Sequence, residues 1–238
     1  AYDLKEDVPL SQNCPEDALE EYDSPETVKA IGTALEFLGH SVTRLGGGRE
    51  FFANIRQNNV GFVFNIAEGI RGESRESHIP AMLEVLGLPY TGSGPLTLSI
   101  SLDKAFTHQV LSYNGVPSPA FQVFSNVDDR PDGKMSFPSI VKPLSEGSSK
   151  GIRNISLVKD HEELRKQVLW VLKNYGQPAI VEEFLPGREF TVGLIGNDRP
   201  IVLPIVEILL EKLPQEANRI YSYEAKWVWD VPEKPLEI

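Results

Sequence analysis

Three polar segments in a fixed order constrain this chain more than any other feature. They lie at residues 141–151 (VKPLSEGSSKG), 181–193 (VEEFLPGREFTVG) and 221–227 (YSYEAKW). The first sets Lys142 at the end of an apolar run, followed by a Gly/Ser loop whose backbone N–H groups suit phosphate oxygens. The second sets Glu182, Glu183 and Glu189 around a Pro186-Gly187 turn, as acceptors for an amino group and for sugar hydroxyls. The third adds Lys226. Together they describe a nucleotide site with an anion-binding end and a hydrogen-bonding base end.

Each piece has an ordinary reading beside this one. Lys142 alone is an exposed lysine closing a strand, and Glu146 to Gly151 alone is a solvent turn, which Gly and Ser favour. Val181-Glu182 alone is an alternating strand. A solvent turn needs neither this many glycines nor Lys150, and the Pro186-Gly187 turn returns Glu189 towards Glu182, which an isolated strand does not require. The order of the three, rather than any one of them, carries the inference.

Composition narrows the partners. The chain has 238 residues, enough for one large or two small domains. With 34 acidic against 23 basic residues its formal net charge is −11, which opposes nonspecific nucleic-acid binding. The lone Cys14 excludes an intrachain disulfide and a thiol-rich zinc site, and points to a cytoplasmic protein. No run of about 18 apolar residues exists for a membrane helix, and no basic-then-apolar leader is present. His40, His78, His108 and His161 show no metal-ligand spacing.

The predicted organisation is α/β in the first part and α+β in the second. Ser24-Pro25 opens a helix ending at Gly39, with Ser24 as N-cap. Residues 41–45 and 61–66 are strand candidates, the second buried. A helix over 76–86 stops at Gly87, so βα alternation predicts a small parallel sheet. Residues 96–113 form one further helix, and Val116-Pro117-Ser118-Pro119 reads as a rigid linker. Beyond it, strands are predicted at 120–124, 139–142, 151–157, 179–184, 189–195 and 200–208, with a helix from Asp160 to Tyr175. The expected domains are 1–115 and 116–238.

These segments, with residues 65–72 (NIAEGIRG), the PYTGS run at 89–93 and the Asp103-Lys104 pair, resemble the D-alanine–D-alanine ligase-like members of the ATP-grasp fold. The likeness runs over most of the chain. It implies an N-terminal pre-ATP-grasp α/β domain and an ATP-grasp domain whose small lobe is complete and whose large lobe is not. It also implies an ATP-dependent carboxylate–amine ligase working through an acyl phosphate, with small amino-acid substrates, magnesium, and a possible homodimer.

By the same resemblance, Lys104 and Lys142 meet phosphates, and Glu146, Gly147, Ser148 and Ser149 close over them. Glu182, Phe184 and Leu185 meet adenine, Glu189 meets ribose, and Lys226 approaches ATP. Ser148 and Lys226 are the catalytic candidates.

Departures from the family pattern are specific. Glu68 stands where D-alanyl ligases usually carry histidine, and Trp227 stands where they carry tyrosine, a hydroxyl short of a link to the serine loop. Glu20 and Glu21 are both candidates for an N-terminal carboxylate. Glu68 and Arg71 are candidates for substrate binding, with Arg75 and Glu76 close by. The D-x-R and E-x-N elements that hold magnesium in the family are missing, and Pro235-Leu236-Glu237-Ile238 carries no closing element, so the chain reads as truncated and supplies no metal ligands. Two further readings stay open: an ATP-binding module that is catalytically incomplete, and a ligase for another amino-acid or peptide pair.

Overall fold

A computed structural model of the chain describes residues 1–10 and 14–229. The tetrapeptide 235–238 lies outside the described residues. The chain divides into two compact units, one of residues 1–118 with 144–150, the other of residues 119–143 with 151 onward.

The first unit is built on helices α1 (Pro25–Phe37), α2 (Gly48–Gln57), α3 (His78–Leu86), α4 (Pro95–Leu102) and α5 (Lys104–Tyr113). Helix α1 starts as predicted: Ser24 is extended, its hydroxyl accepts from Thr27 N at 3.2 Å, and Pro25 takes the first position. Helix α3 ends on left-handed Gly87 at φ 66°. Helix α2 was not expected, although Phe51 and Ile55, one turn apart, are the residues it buries.

The single helix expected over 96–113 is two helices. Asp103 breaks it at φ −87°, ψ 107°, and its carboxylate accepts from Phe106 N at 2.9 Å. Aspartate satisfies a free N–H better as a cap than it serves in a helix interior.

The sheet expected in this unit takes a different form. Its segments exchange backbone bonds, Tyr2 N to Gly46 O at 3.2 Å and Val63 N to Pro89 O at 2.9 Å among them. Among the described residues, however, the parallel pairing is confined to two isolated bridges, Leu4 with Asp23 and Val63 with Tyr90. Residues 41–45 and 61–66 therefore form no strand-length ladder. Side chains explain the short reach. Asn65 N donates to the Thr91 hydroxyl at 2.8 Å, and Ala67 N to Asn65 Oδ1 at 3.3 Å, so polar side chains take bonds that a ladder would use. Leu45, Phe51, Ile55, Val63, Ala67, Ile79 and Leu83 form the core.

The second unit carries an antiparallel sheet of β1 (Phe121–Phe124), β2 (Ser139–Pro143), β3 (Leu157–Val158) and β4 (Ala179–Glu183), in the order β1-β4-β2-β3. Helix α6 (His161–Tyr175) covers one face. Its N-cap is Asp160, whose Oδ1 accepts from Glu162 N and Glu163 N at 2.9 Å each. Leu164, Val168 and Val171 recur at helical spacing and bury against Phe124, Val141, Ala179 and Val181. Each such side chain contributes roughly 1.5–3 kcal/mol on burial.

Where a strand was predicted over 151–157, the chain makes a 3-10 turn, Asn154–Ser156, and only then β3. Ser156 is fully buried and bonded to Arg153 N at 2.9 Å and Gln167 Nε2 at 3.2 Å, which holds the turn. Two further strands are each split, giving β5 (Glu189–Thr191) with β8 (Val206–Ile208), and β6 (Leu194–Ile195) with β7 (Ile201–Val202). Pro204, which has no N–H to donate, sits in the gap between β7 and β8.

Candidate functional site

Period-two alternation on β2 and β4 builds the site of the second unit. In register Val141 faces Val181, and both are fully buried on the helix-covered face. Their chain neighbours Ile140, Lys142 and Glu182, on the opposite face, line a cavity of about 290 Å³ together with Phe184, Leu185 and Glu189. Five of the residues singled out from the sequence thus share one cavity. Lys142 Nζ lies 2.6 Å from Glu182 Oε2, a charge-assisted bond between a half-buried lysine and a buried carboxylate. Phe184 N donates to Pro138 O at 3.1 Å, which fixes the chain as it leaves β4. Partial desolvation raises the Glu189 carboxyl above its usual range, and the positive charge of Lys142 opposes it.

Lys226 is not among the residues lining that cavity. It sits in a π-helical turn, Glu224–Trp229, with its ammonium 5.3 Å from the centre of the Trp227 ring. The turn is anchored by Tyr223 N to Ile152 O at 2.7 Å and by Asn154 N to Glu224 Oε2 at 3.0 Å.

The first unit holds the Gly/Ser loop and Lys104. Lys104 N donates to Leu144 O at 3.2 Å, and its ammonium bonds the carbonyl of Glu146. Ser148 and Ser149 both adopt left-handed backbone, at φ 49° and 61°, conformations that cost non-glycine residues about 1–3 kcal/mol each. Lys150 N donates to Gly147 O at 2.8 Å across the turn.

Around this loop four charges alternate in a closed circuit. Arg75 Nη2 stands 3.1 Å from both Glu21 oxygens and 3.2 Å from Glu146 Oε2. Lys150 Nζ stands 3.3 Å from Glu21 Oε2 and 2.8 Å from Glu146 Oε2. Glu21 also accepts from Gly147 N. Burial alone would raise the Glu21 carboxyl, but Arg75 and Lys150 outweigh it and hold it below its ordinary value. The structure thereby separates the two N-terminal candidates: Glu21 is buried in the circuit, whereas Glu20 pairs with Lys5 at 2.9 Å. No spacing in the sequence signals the circuit, since Glu21 meets Arg75 and Lys150 across 54 and 129 residues.

Glu68 follows Ala67, which is in the core of the same unit. Burial pushes its carboxyl up to about 7, with Glu76 and Glu21 adding to the rise and Arg75 opposing it. Arg71 is exposed. Arg75 spends its fork on Glu21, Glu146 and the Ser145 carbonyl at 2.9 Å, so it serves the loop. Among the described residues no three of His, Cys, Asp and Glu stand together as a metal site. Nor is any described helix long and apolar enough to cross a membrane.

Comparison with known proteins places the chain. The sequence model of the D-ala D-ala ligase C-terminus matches residues 110–235. The chain is 35% identical over 207 residues to the uncharacterized protein y4sG of Sinorhizobium fredii, covering 84% of this chain and 60% of that one. It is 34% identical over 211 residues to a D-alanine–D-alanine ligase of Aquifex aeolicus, covering 88% of this chain and 67% of the relative. It therefore spans about three fifths to two thirds of the length of these relatives. In fold it is similar to the D-alanine–D-alanine ligase of Bacillus anthracis solved with ATP, with a TM-score of 0.61 at 22% identity, covering 85% of this chain and 65% of that one. The family model spans more than half of the sequence, and the chain belongs to the D-alanine–D-alanine ligase family of ATP-grasp proteins.

Proposed function

We propose that this chain serves an ATP-dependent ligase that joins a carboxylate to an amine. The carboxylate oxygen attacks the γ-phosphorus and ADP leaves. The amine then attacks the acyl phosphate carbon, phosphate leaves, and the nitrogen gives up a proton. Relatives named D-alanine–D-alanine ligase support this chemistry and suggest D-alanine as the first substrate to try.

The observation that carries the reading is the cavity on β2 and β4, where Lys142, Glu182, Phe184, Leu185 and Glu189 converge. We assign Glu182 and the backbone of Phe184 and Leu185 to adenine, Glu189 to ribose, and Lys142 to phosphate. In the other unit, Lys104 and the loop of Glu146, Gly147, Ser148 and Ser149 are assigned to phosphate oxygens. Ser148 and Lys226 act on the transferring phosphoryl group, and Glu68 and Arg71 on the amino-acid substrate. Catalysis of this kind rests on positioning and charge stabilisation, which lysines and backbone amides supply. ATP and magnesium are the expected cofactors. The reading also includes domains of 1–115 and 116–238, a cytoplasmic location and a homodimer.

The test is calorimetric titration with ATP, followed by phosphate release with Mg-ATP and D-alanine. Binding to the wild type that disappears in Lys142→Ala supports the site. Unchanged ATP affinity in Lys142→Ala overturns the assignment of that lysine. Binding with no phosphate release across a panel of amino acids reduces the polypeptide to a nucleotide-binding module.

A further inference from the structure

Ser148 and Ser149 hold left-handed backbone side by side, in a loop where glycine would sit without strain. Such a pair persists only where its surroundings over-determine it. The surroundings are the charge circuit: Glu21 takes Gly147 N and Lys150 Nζ, Glu146 takes Lys150 Nζ, and Arg75 joins the two carboxylates and also holds the Ser145 carbonyl. Every one of these contacts falls on the loop or on a carboxylate that touches it. Arg75, Glu21 and Lys150 are all at least nine-tenths buried, so water does not screen them as it would a surface pair.

Arg75 is the member that cannot be replaced by a point charge. Its planar fork reaches two carboxylates and a carbonyl at once, which an ammonium does not do in the same geometry. The backbone confirms how tightly it is placed: a Cβ on Gly69 would lie 2.3 Å from the Arg75 carbonyl oxygen.

We propose that Arg75 is a positioning residue for the phosphate loop, acting through Glu21 and Glu146 to hold the Ser148-Ser149 turn in its strained conformation before nucleotide arrives. The inference rests on the reading of residues 146–149 as a phosphate loop, and goes beyond it by assigning the residue that sets the loop. Arg75 itself touches no substrate in this scheme. Removing it takes the guanidinium from both Glu21 and Glu146, so the carboxylate that accepts from Gly147 N loses one of the two cations that hold it.

Two measurements on the full chain test this, using Arg75→Gln and Arg75→Lys. In nucleotide-free protein, exchange of the Gly147 amide should become about 10-fold faster or more in Arg75→Gln, while core amides such as Val171 keep their wild-type rates. ATP affinity should fall by about 10-fold or more, while adenosine, which lacks phosphates, binds within about twofold of wild type. Arg75→Lys should recover part of both effects, and it stands in should the glutamine variant not fold. Unchanged Gly147 exchange overturns the proposal, and so does an equal loss of ATP and adenosine affinity. If wild-type protein binds neither ligand, the nucleotide reading fails on its own, and the exchange measurement still decides the role of Arg75.

Discussion

Lys142 and Glu182 meet at 2.6 Å diagonally across two antiparallel strands, on the face of the sheet opposite α6. Ile140 is the residue directly opposite Glu182, so the pair joins one position to the next but one on the same face. Lys142→Ala takes the neighbouring cation from a buried carboxylate and should cost roughly 2 kcal/mol in urea unfolding. Adding Glu182→Gln should recover most of that stability without recovering ATP binding. If the double variant binds ATP as wild type does, the pair is structural only.

Glu21→Gln should destabilise the first unit more than any surface substitution. It removes one of two carboxylates from a circuit with two buried cations, and breaking such a network costs about 3–5 kcal/mol. Glu20→Gln, changing a partly exposed partner of Lys5, should cost below about 1 kcal/mol. Equal midpoints for the two variants would contradict the burial difference between these neighbours.

Gly69→Ala should be destabilising by about 2 kcal/mol or more, for two separable reasons. Its φ of 73° is left-handed, and its Cβ would press on the Arg75 carbonyl, which is backbone and cannot rotate away. Gly39→Ala shares the positive φ but meets nothing within 4 Å, so it measures the conformational part alone. The excess of Gly69 over Gly39 in thermal unfolding reports the clash.

Stability should fall as pH rises through the Glu68 range. The folded carboxyl binds its proton up to about 7, whereas the ordinary value is 4.5. Between these two values the native state therefore holds more protons than the unfolded state, and the slope of stability against pH is negative. The contribution is greatest below 4.5, is lost as pH climbs through 7, and is about 3 kcal/mol. Glu68→Gln should flatten this part of the profile, which urea unfolding at several pH values between those limits would show.

Local chemistry made much of the molecule legible in the sequence. Ser24-Pro25, Asp160 and Gly87 mark helix ends because capping depends on near neighbours alone. The alternation of residues 139–142 and 179–183 put Val141 and Val181 on one face and Lys142 and Glu182 on the other, so the members of the cavity were identifiable by type and order.

Competition between local and longer-range bonding decided the rest. Asp103 split a continuous helical pattern by capping Phe106, and Asn65 and Thr91 took bonds that a ladder along 61–66 would use. Nor could spacing distinguish Glu21 from Glu20, or give Arg75 its task. The sequence alone determined which residues carry charge, which alternate and where α1 and α6 begin. Only the tertiary structure brought Glu21, Arg75, Glu146 and Lys150 into one buried circuit, because pairing across such separations depends on where the folded backbone brings the side chains together.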